Sequence, residues 1–525
     1  MRISKKGIAA FVLAVALPTS AFAMDTEMQK KIDDLSRQLE SLKQQVEKSE
    51  EKAKATEEKV DKTEALAKQT DEKSLGKWLT IGGDYRFRVD SLTANVPNYY
   101  QFGLSNTNPP IPTPAAVNGF RTYNDTLYTN RFGLNLKAKA TENVSVKARL
   151  LMYKVSGAQN DSAITGPYFG DRGGIFDGTL GHVPSDGQLT VDSVYATWSN
   201  IAEQPVWFSV GRRPSTGGSP SHIKNNTEKS GTAGTPALLV DYAFDGMTVG
   251  YAPDIDVLGS PFLKICYGRG FDSGYTASGY KPNNTLRDTD MLGVQVVPYN
   301  TDTITAMLQW NHAYNIFNAP QFVTGNSIIS GPTTNLGSID WVGADIVGKV
   351  DSLNWFFDAA MSFARPNNNT AFQNTGMGPY VEGMPIGLMY SGQRTGKNGW
   401  AVYLGGRYDL EKTGTKFGFE YNHGSNDWIT FAPAADDIWT SKLGTRGDVI
   451  EPYIIQEIKL KPISSLASKV FFKVGYQYYW FNATGSNNWV GGSVNFDALS
   501  NPNSMQMYAP VKTAQDIYGT FEVQF

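Results

Sequence analysis

The chain has one cysteine, Cys266, in 525 residues. No intrachain disulfide can form, and no C-x-x-C-H site for covalent haem is possible. The four histidines, His182, His222, His312 and His423, stand far apart, and none has an H-E-x-x-H or other metal-ligand spacing. G-x-S-x-G, a P-loop and a helix-opening G-x-G-x-x-G are all missing. The chain is therefore expected to be no enzyme and to carry no cofactor. Beyond the first two dozen residues there is no apolar run of about 18 residues, which excludes a transmembrane helix. A net charge of −3 gives no footprint for nucleic acid. From residue 25 to 74 there is neither glycine nor proline.

What is present divides into three parts. Arg2, Lys5 and Lys6 precede an apolar stretch, Ile8 to Leu17, and Ala21-Phe22-Ala23 forms an A-x-A site. This pattern reads as a cleavable secretory signal over residues 1–23. Residues 24–76 are rich in Lys, Glu, Gln and Asp. Ile32, Leu39, Val46, Ala53, Val60 and Ala67 take one heptad position, and Met28, Leu35 and Leu42 take another. Seven-residue spacing implies a left-handed coiled coil, here placed in the periplasm, with a partner helix to cover its stripe. The first three heptads carry the large apolar residues and should hold best.

From residue 77 to 525 the period becomes two. Ile81, Gly83, Tyr85, Phe87 and Val89 face one way; Thr80, Asp84, Arg86, Arg88 and Asp90 face the other. The same alternation runs through 131–140 and 144–152, and recurs in thirteen later segments. Averages hide such a pattern: mean hydropathy is −0.33, yet aromatics reach 12% and glycines number 52. Ten-residue alternating strands suit a tilted crossing of a bilayer. Short joints near 141–143, 200–204, 299–301, 351–352, 411–414 and 461–467 alternate with long ones near 91–126, 154–188, 214–235, 314–339, 365–398, 425–446 and 482–511. The expected fold is an all-β antiparallel transmembrane barrel of about 16 strands, with 18 as the alternative, preceded by the helical coiled coil. Asp245-Gly246 looks like a hairpin turn, but a turn there makes the strand number odd and parts the termini. Reading 236–253 as one irregular strand restores an even count.

The final strand alternates Ile517, Gly519, Phe521, Val523 and Phe525 with polar residues. It resembles the terminal signal read by the barrel-assembly machinery, carried by Phe521, Val523 and Phe525, and is expected to close the barrel against 79–90. Lumen candidates come from the polar faces. Arg86, Arg88, Arg131, Lys137, Lys139, Lys147 and Arg149 form a basic ladder on three consecutive strands; Asp409, Glu420, Glu451 and Glu457 lie on later strands. Asp161, Asp171, Asp177 and Asp186 belong to the loop 156–188. A basic wall facing acidic groups creates a transverse field that orients polar solutes. Arg213-Pro214-Ser215-Thr216-Gly217-Gly218 reads as a loop entry rather than a phosphate cradle, because no helix is expected after it.

With its coiled coil, this plan resembles a general porin. Gly82-Gly83-Asp84-Tyr85-Arg86-Phe87-Arg88 and Val210-Gly211-Arg212-Arg213-Pro214 also resemble an uncharacterised porin-like outer-membrane family of metal-reducing bacteria. The resemblance implies an outer-membrane channel of a Gram-negative bacterium for passive diffusion of ions and small hydrophilic solutes. It further implies contact with outer-membrane lipid, a homo-oligomer with a trimer favoured, and a loop, 156–188 or 214–235, that narrows the bore. Two alternatives stand beside this one. The barrel could sheathe a separate multihaem cytochrome, or it could tether the outer membrane to peptidoglycan.

Overall fold

The computed structural model describes residues 30, 33–48, 78–157, 181–185, 187–229, 234–274, 286–318, 321–324, 327–330, 332–432, 437–460 and 468–525. Two compact units divide the chain, Met1–Lys77 and Trp78–Phe525. In the first, residues 33–48 are helical. Leu35, Leu39, Leu42 and Val46 form its apolar stripe, and all four are exposed. The secretory signal (1–23) and the heptads after residue 48 lie outside the described residues.

In the second unit sixteen strands run as an antiparallel meander. They are β1 (Leu79–Val96), β2 (Phe120–Lys139), β3 (Val144–Val155), β4 (Thr190–Trp198), β5 (Val206–Ser215), β6 (Tyr242–Tyr251), β7 (Phe262–Phe271) and β8 (Thr289–Asn300). The ring continues with β9 (Ile304–Phe317), β10 (Asn335–Val350), β11 (Leu353–Pro366), β12 (Lys397–Leu410), β13 (Thr415–Gly424), β14 (Gly447–Glu457), β15 (Lys469–Phe481) and β16 (Thr513–Gln524). Each pairs with its chain neighbours, and β16 returns to β1, so the barrel is closed. At that seam Phe87 faces Phe521 and Tyr85 faces Val523. Gly83 and Phe525 exchange both backbone bonds, at 2.7 and 2.9 Å.

The solvation pattern is inside-out. Ile81, Tyr85, Val146, Val194, Val249, Ile265, Leu308, Val342, Phe357, Leu404, Phe419, Phe472 and Ile517 are exposed on the outer wall, whereas Arg86, Arg88, Asp90, Asp345, Glu420, Glu451 and Asp516 are buried within. Only hydrocarbon outside makes that arrangement stable. Two aromatic rings bound the apolar band. Trp198, Tyr251, Tyr299 and Tyr408 lie at the end with the short turns, and Tyr128, Tyr267, Trp400 and Trp480 lie at the end with the long loops. Such girdles sit at headgroup level.

The even strand count puts Asp245-Gly246 inside a strand, and the structure agrees; the loop expected over 91–126 is corrected. Asp245 and Gly246 lie mid-strand in β6, opposite Arg212 and Gly211 of β5. The glycine serves close approach rather than a turn: a Cβ at Gly246 would stand 2.0 Å from the Tyr267 carbonyl oxygen. The loop expected over 91–126 is also mostly strand. β1 and β2 extend well past the membrane band, and a hairpin of Tyr99–Leu104 with Pro112–Val117 caps them. The period of two survives there, but its apolar face inverts. Leu92, Ala94 and Val96 point inward and are buried, while Thr93 and Asn95 share the outward face. Beyond the bilayer the outside is water and the inside is a protein core, so alternation no longer means apolar-out.

The seam generates a test. A Cβ at Gly83 would lie 2.5 Å from the Gly133 carbonyl oxygen and 2.8 Å from the Phe525 ring, whereas one at Gly519 meets nothing within 4 Å. Gly83→Val should destabilise the folded barrel by about 1–3 kcal/mol, the usual range for overpacking. Gly519→Val should leave it unchanged. Heat-modifiable mobility on SDS gels reads both, and equal effects of the two variants would refute the assignment.

Candidate functional site

A 16-strand barrel is wide enough to leave an aqueous lumen, so what fills this one decides what it can do. Among the described residues, loops 216–241 and 425–446 cross into the lumen. Loop 216–241 starts at the end of β5 and carries a short helix, Ser221–Asn225, absent from the sequence expectation. That helix lies against β12–β16, half-way round the ring. Charge drives the crossing. Lys224 Nζ donates to both Glu451 oxygens at 3.1 and 3.0 Å. The Arg407 guanidinium donates to the Ile223 carbonyl. Lys416 Nζ and Lys469 Nζ donate to Asn226 Oδ1 and its carbonyl oxygen at 2.7 and 3.0 Å. Further along, Lys229 reaches the Thr301 carbonyl at the short-turn end (3.1 Å), and the Leu238 amide donates to Asp358.

Loop 425–446 packs on the first loop. The Phe431 amide donates to the Leu239 carbonyl at 3.2 Å, and the Asp241 amide donates to the Phe431 carbonyl at 3.0 Å. Leu238, Leu239, Trp428 and Ile429 then make one apolar core with Met291, Ala313, Trp341, Phe356 and Ala401 of β8–β12. This half of the lumen is filled like the interior of a soluble protein. Lys442 anchors the second loop by donating to Glu451 at 2.6 Å and to Glu420. Burial alone would lower the Lys442 ammonium's pKa, yet Glu420 and Glu451 hold it well above the ordinary lysine value.

The acidic residues expected on the pore wall therefore have another task. Glu451 takes two ammonium groups and the Tyr518 hydroxyl (2.7 Å). Glu420 accepts from Tyr403 (2.7 Å) as well as Lys442, and Asp409 pairs with Arg407 (2.6 Å). None of the three lines the open cavity. Lys224 and Lys442, the cations that neutralise Glu451, lie in loops whose inward turn no periodicity announces.

The other half of the lumen stays open, as a cavity of about 870 Å³. Arg86, Arg131, Lys137, Lys147 and Arg149 line one side; Ser221, Lys224, Asn225, Glu228 and Asp241 of loop 216–241 face them. Register makes the ladder: Arg86 stands opposite Arg131, and Lys137 opposite Lys147. Asp84 bridges Arg149 at 2.7 Å and Arg131 at 3.5 Å. Asp192 accepts from His182 at 2.5 Å, and Glu522 pairs with Lys473 at 3.1 Å. Lys137 and Lys147 form no ion pair among the described residues. Two expected members of the ladder are elsewhere. Arg88 is buried with Asp90 (2.5 Å) and Asp516 (2.8 Å) over the Tyr518 ring, and Lys139 is exposed near the turn after β2. Of loop 156–188, Asp161, Asp171, Asp177 and Asp186 lie outside the described residues. Among the described residues the cavity is bounded by 216–241, which overlaps the second of the two candidate loops, by 425–446, and by His182 of the first candidate loop.

Residues 121–525 match a family described as "Protein of unknown function (DUF3373)". The chain belongs to that family. No curated protein sequence matches it. Among solved structures it is similar to OmpT of Vibrio cholerae, at 12% identity and TM-score 0.38 over 85% of this chain and 99% of that one. It is similar to Salmonella typhi OmpF in complex with daunomycin, at 10% and 0.40 over 85% and 97%. The outer membrane channel DcaP of Acinetobacter baumannii follows at 11% and 0.36, over 85% and 96%. The closed ring, its apolar outer band and its aromatic girdles make the chain a porin-type outer-membrane β-barrel.

Two outcomes follow from the docked loops. Glu451→Gln leaves Lys224 and Lys442 short of a buried counter-charge, at a cost of about 3–5 kcal/mol. Limited proteolysis should then cut within 216–241 or 425–446, where the parent resists; equal resistance would refute the anchor. His222 supplies the pH dependence. Burial, then Arg407 and Lys229, push its pKa down to about 4. The docked loop keeps the imidazole neutral, and a released loop protonates it below about 6.5. Docking is therefore complete above pH 6.5 and weakens as pH falls towards 4. Amide exchange in 216–229 should accelerate over that window, and His222→Gln should flatten the response.

Proposed function

We propose that the barrel is a water-filled porin that passes small hydrophilic solutes without covalent chemistry and favours anions. One observation carries the charge bias. Lys137 and Lys147 stand directly opposite each other on β2 and β3, a like-charge juxtaposition that costs stability. No carboxylate relieves them among the described residues, and Arg86, Arg131 and Arg149 extend the same wall. Cations retained against their own repulsion, beside a water-filled cavity, serve whatever enters it. They attract anions and raise their local concentration.

The size of the cavity bears on the cytochrome sheath. About 870 Å³ suits a small molecule. With loops 216–241 and 425–446 docked, a second polypeptide has no room among the described residues. The helix of 33–48, with its exposed Leu35, Leu39, Leu42 and Val46, supports a coiled coil that joins copies of the chain in the periplasm and reaches towards peptidoglycan. That tether belongs to the other unit and is compatible with conduction. Heptad composition leaves two strands or three open; a trimer is the working assignment.

The test is conductance in planar bilayers under a salt gradient. The purified protein should open steady, salt-dependent channels with a reversal potential on the anion side. Lys137→Glu with Lys147→Glu should move that potential towards cations, and an unmoved potential would sink the basic-wall reading. Arg88→Glu is expected instead to lower the folded yield, because its partners Asp90 and Asp516 are buried. A closed barrel that co-purifies with haem would favour the sheath.

A further inference from the structure

At the long-loop end of the barrel, three loops enclose a second cavity, of about 460 Å³. Loop 482–511 forms most of its wall. Tyr390 and Ser391 of loop 365–398 stand on another side, and Trp439 and Thr440 of loop 425–446 on a third. Backbone bonds tie these walls together. The Met389 amide donates to the Trp489 carbonyl and the Gly491 amide to the Gly387 carbonyl, both at 2.8 Å. Gln506 donates through its amide to the Tyr100 carbonyl at 2.8 Å, and its carbonyl accepts from Phe102 at 2.9 Å, so the hairpin 99–117 is joined as well. The buried Arg446 guanidinium links loop 425–446 to loop 482–511, donating to the Thr484 and Asn488 carbonyls at 3.0 and 3.1 Å. A cavity between walls tied in this way is preformed, so a ligand does not have to order them.

Its lining combines rings with neutral polar groups. Tyr390, Trp439, Phe481 and Tyr508 supply the rings. Between them several polar atoms are left over from the protein's own hydrogen bonding. The Tyr390 hydroxyl makes no hydrogen bond among the described residues, although the residue is only 5% exposed. Asn488 Oδ1 accepts from the Val490 amide at 2.9 Å, which leaves its Nδ2 as a free donor. Gln506 Nε2 donates to the Ser504 carbonyl at 2.8 Å, which leaves its Oε1 as a free acceptor. Gln393, Thr395 and Asn503 are exposed and mark the mouth. Lys397 is the one charged residue of the described lining, and it faces Asp427 at 3.7 Å.

This chemistry narrows the guest. A wholly apolar molecule would strand the free donor, the free acceptor and the phenol away from water. An ion would meet no unpaired counter-charge in the described lining. A neutral molecule with hydroxyls on its rim and C–H groups on its faces meets both surfaces. Its hydroxyls exchange hydrogen bonds with the amides and the phenol, and its C–H faces lie against the rings. We propose that the cavity binds a neutral saccharide of one or two rings. Its volume lies within the range of small-molecule pockets, roughly 300–1,000 Å³. The site shares no lining residue with the cavity beside the basic ladder. It therefore does not depend on whether that cavity conducts.

Saturation-transfer NMR on the full-length protein, held in a detergent without a sugar headgroup, reads binding directly. The probes are glucose, galactose, mannose, maltose, lactose, sucrose and trehalose at millimolar concentration. At least one should receive saturable transfer, and transfer to none would overturn the proposal. Tyr390→Phe keeps the ring and removes the hydroxyl, and should weaken binding of that sugar about tenfold. Gln506→Met removes the free acceptor from the same lining and should weaken it similarly. Lys137→Gln with Lys147→Gln should leave the affinity unchanged. Binding that survives both Tyr390→Phe and Gln506→Met at full strength would refute this site. Loss confined to the Lys137/Lys147 variant would assign the sugar to the basic-lined cavity instead. Should Tyr390→Phe fail to fold, Gln506→Met decides alone.

Discussion

A strand in hydrocarbon has nowhere to place its backbone N–H and C=O groups except on another strand. Everything else in this molecule depends on that constraint. It requires the ring to close, so the last strand must find the first. It fixes the register at the seam, where Gly83 meets Phe525 and Phe87 meets Phe521. Register in turn sends every second residue to lipid and the others to the lumen. The basic ladder is a consequence: once Asp84, Arg86 and Arg88 face inward, pairing brings Arg131, Lys137, Lys147 and Arg149 to the same wall.

The lumen then has to be stabilised without a second sheet. Two loops do it, and they divide the space by polarity. On β8–β12 the inward residues include Ala313, Trp341, Phe356, Ala360 and Ala401, and loop side chains pack on them. On β1–β3 Arg131, Lys137, Lys147 and Arg149 line the open cavity. Glu451 lies at the join. It holds Lys224 of one loop and Lys442 of the other in a buried cluster, where the attraction has to offset the desolvation of all three charges. Open and filled halves are thus coupled through one carboxylate.

The strands themselves were legible because lipid and water lie on opposite faces over the whole width of the bilayer. Sixteen segments and the closing partner of the last strand follow from alternation and loop lengths. Legibility ended where that boundary condition ended. At Leu92, Ala94 and Val96 the same alternation continues with its meaning reversed, since the interior there is protein. At Gly246 the even strand count, and not the local Asp-Gly pair, places the glycine mid-strand, where it accommodates the Tyr267 carbonyl of a neighbouring strand. The site was readable in the same measure. Arg86, Arg131, Lys137, Lys147 and Arg149 face the open cavity as their strand positions require. Asp409, Glu420 and Glu451 also point inward, but no local pattern reveals that a loop lysine or a neighbouring arginine covers them.

By itself the sequence determined the barrel, its strand number, the face each strand residue takes and the basic character of one wall. These depend on a period of two and a flat solvent boundary, and both are local. Tertiary structure alone decided which half of the lumen is filled, which loop crosses it and which charges remain unpaired. Those outcomes depend on contacts such as Lys224 with Glu451 and Lys264 with Gly234, between residues far apart in the chain. Their energies arise only when burial removes water from both partners at once.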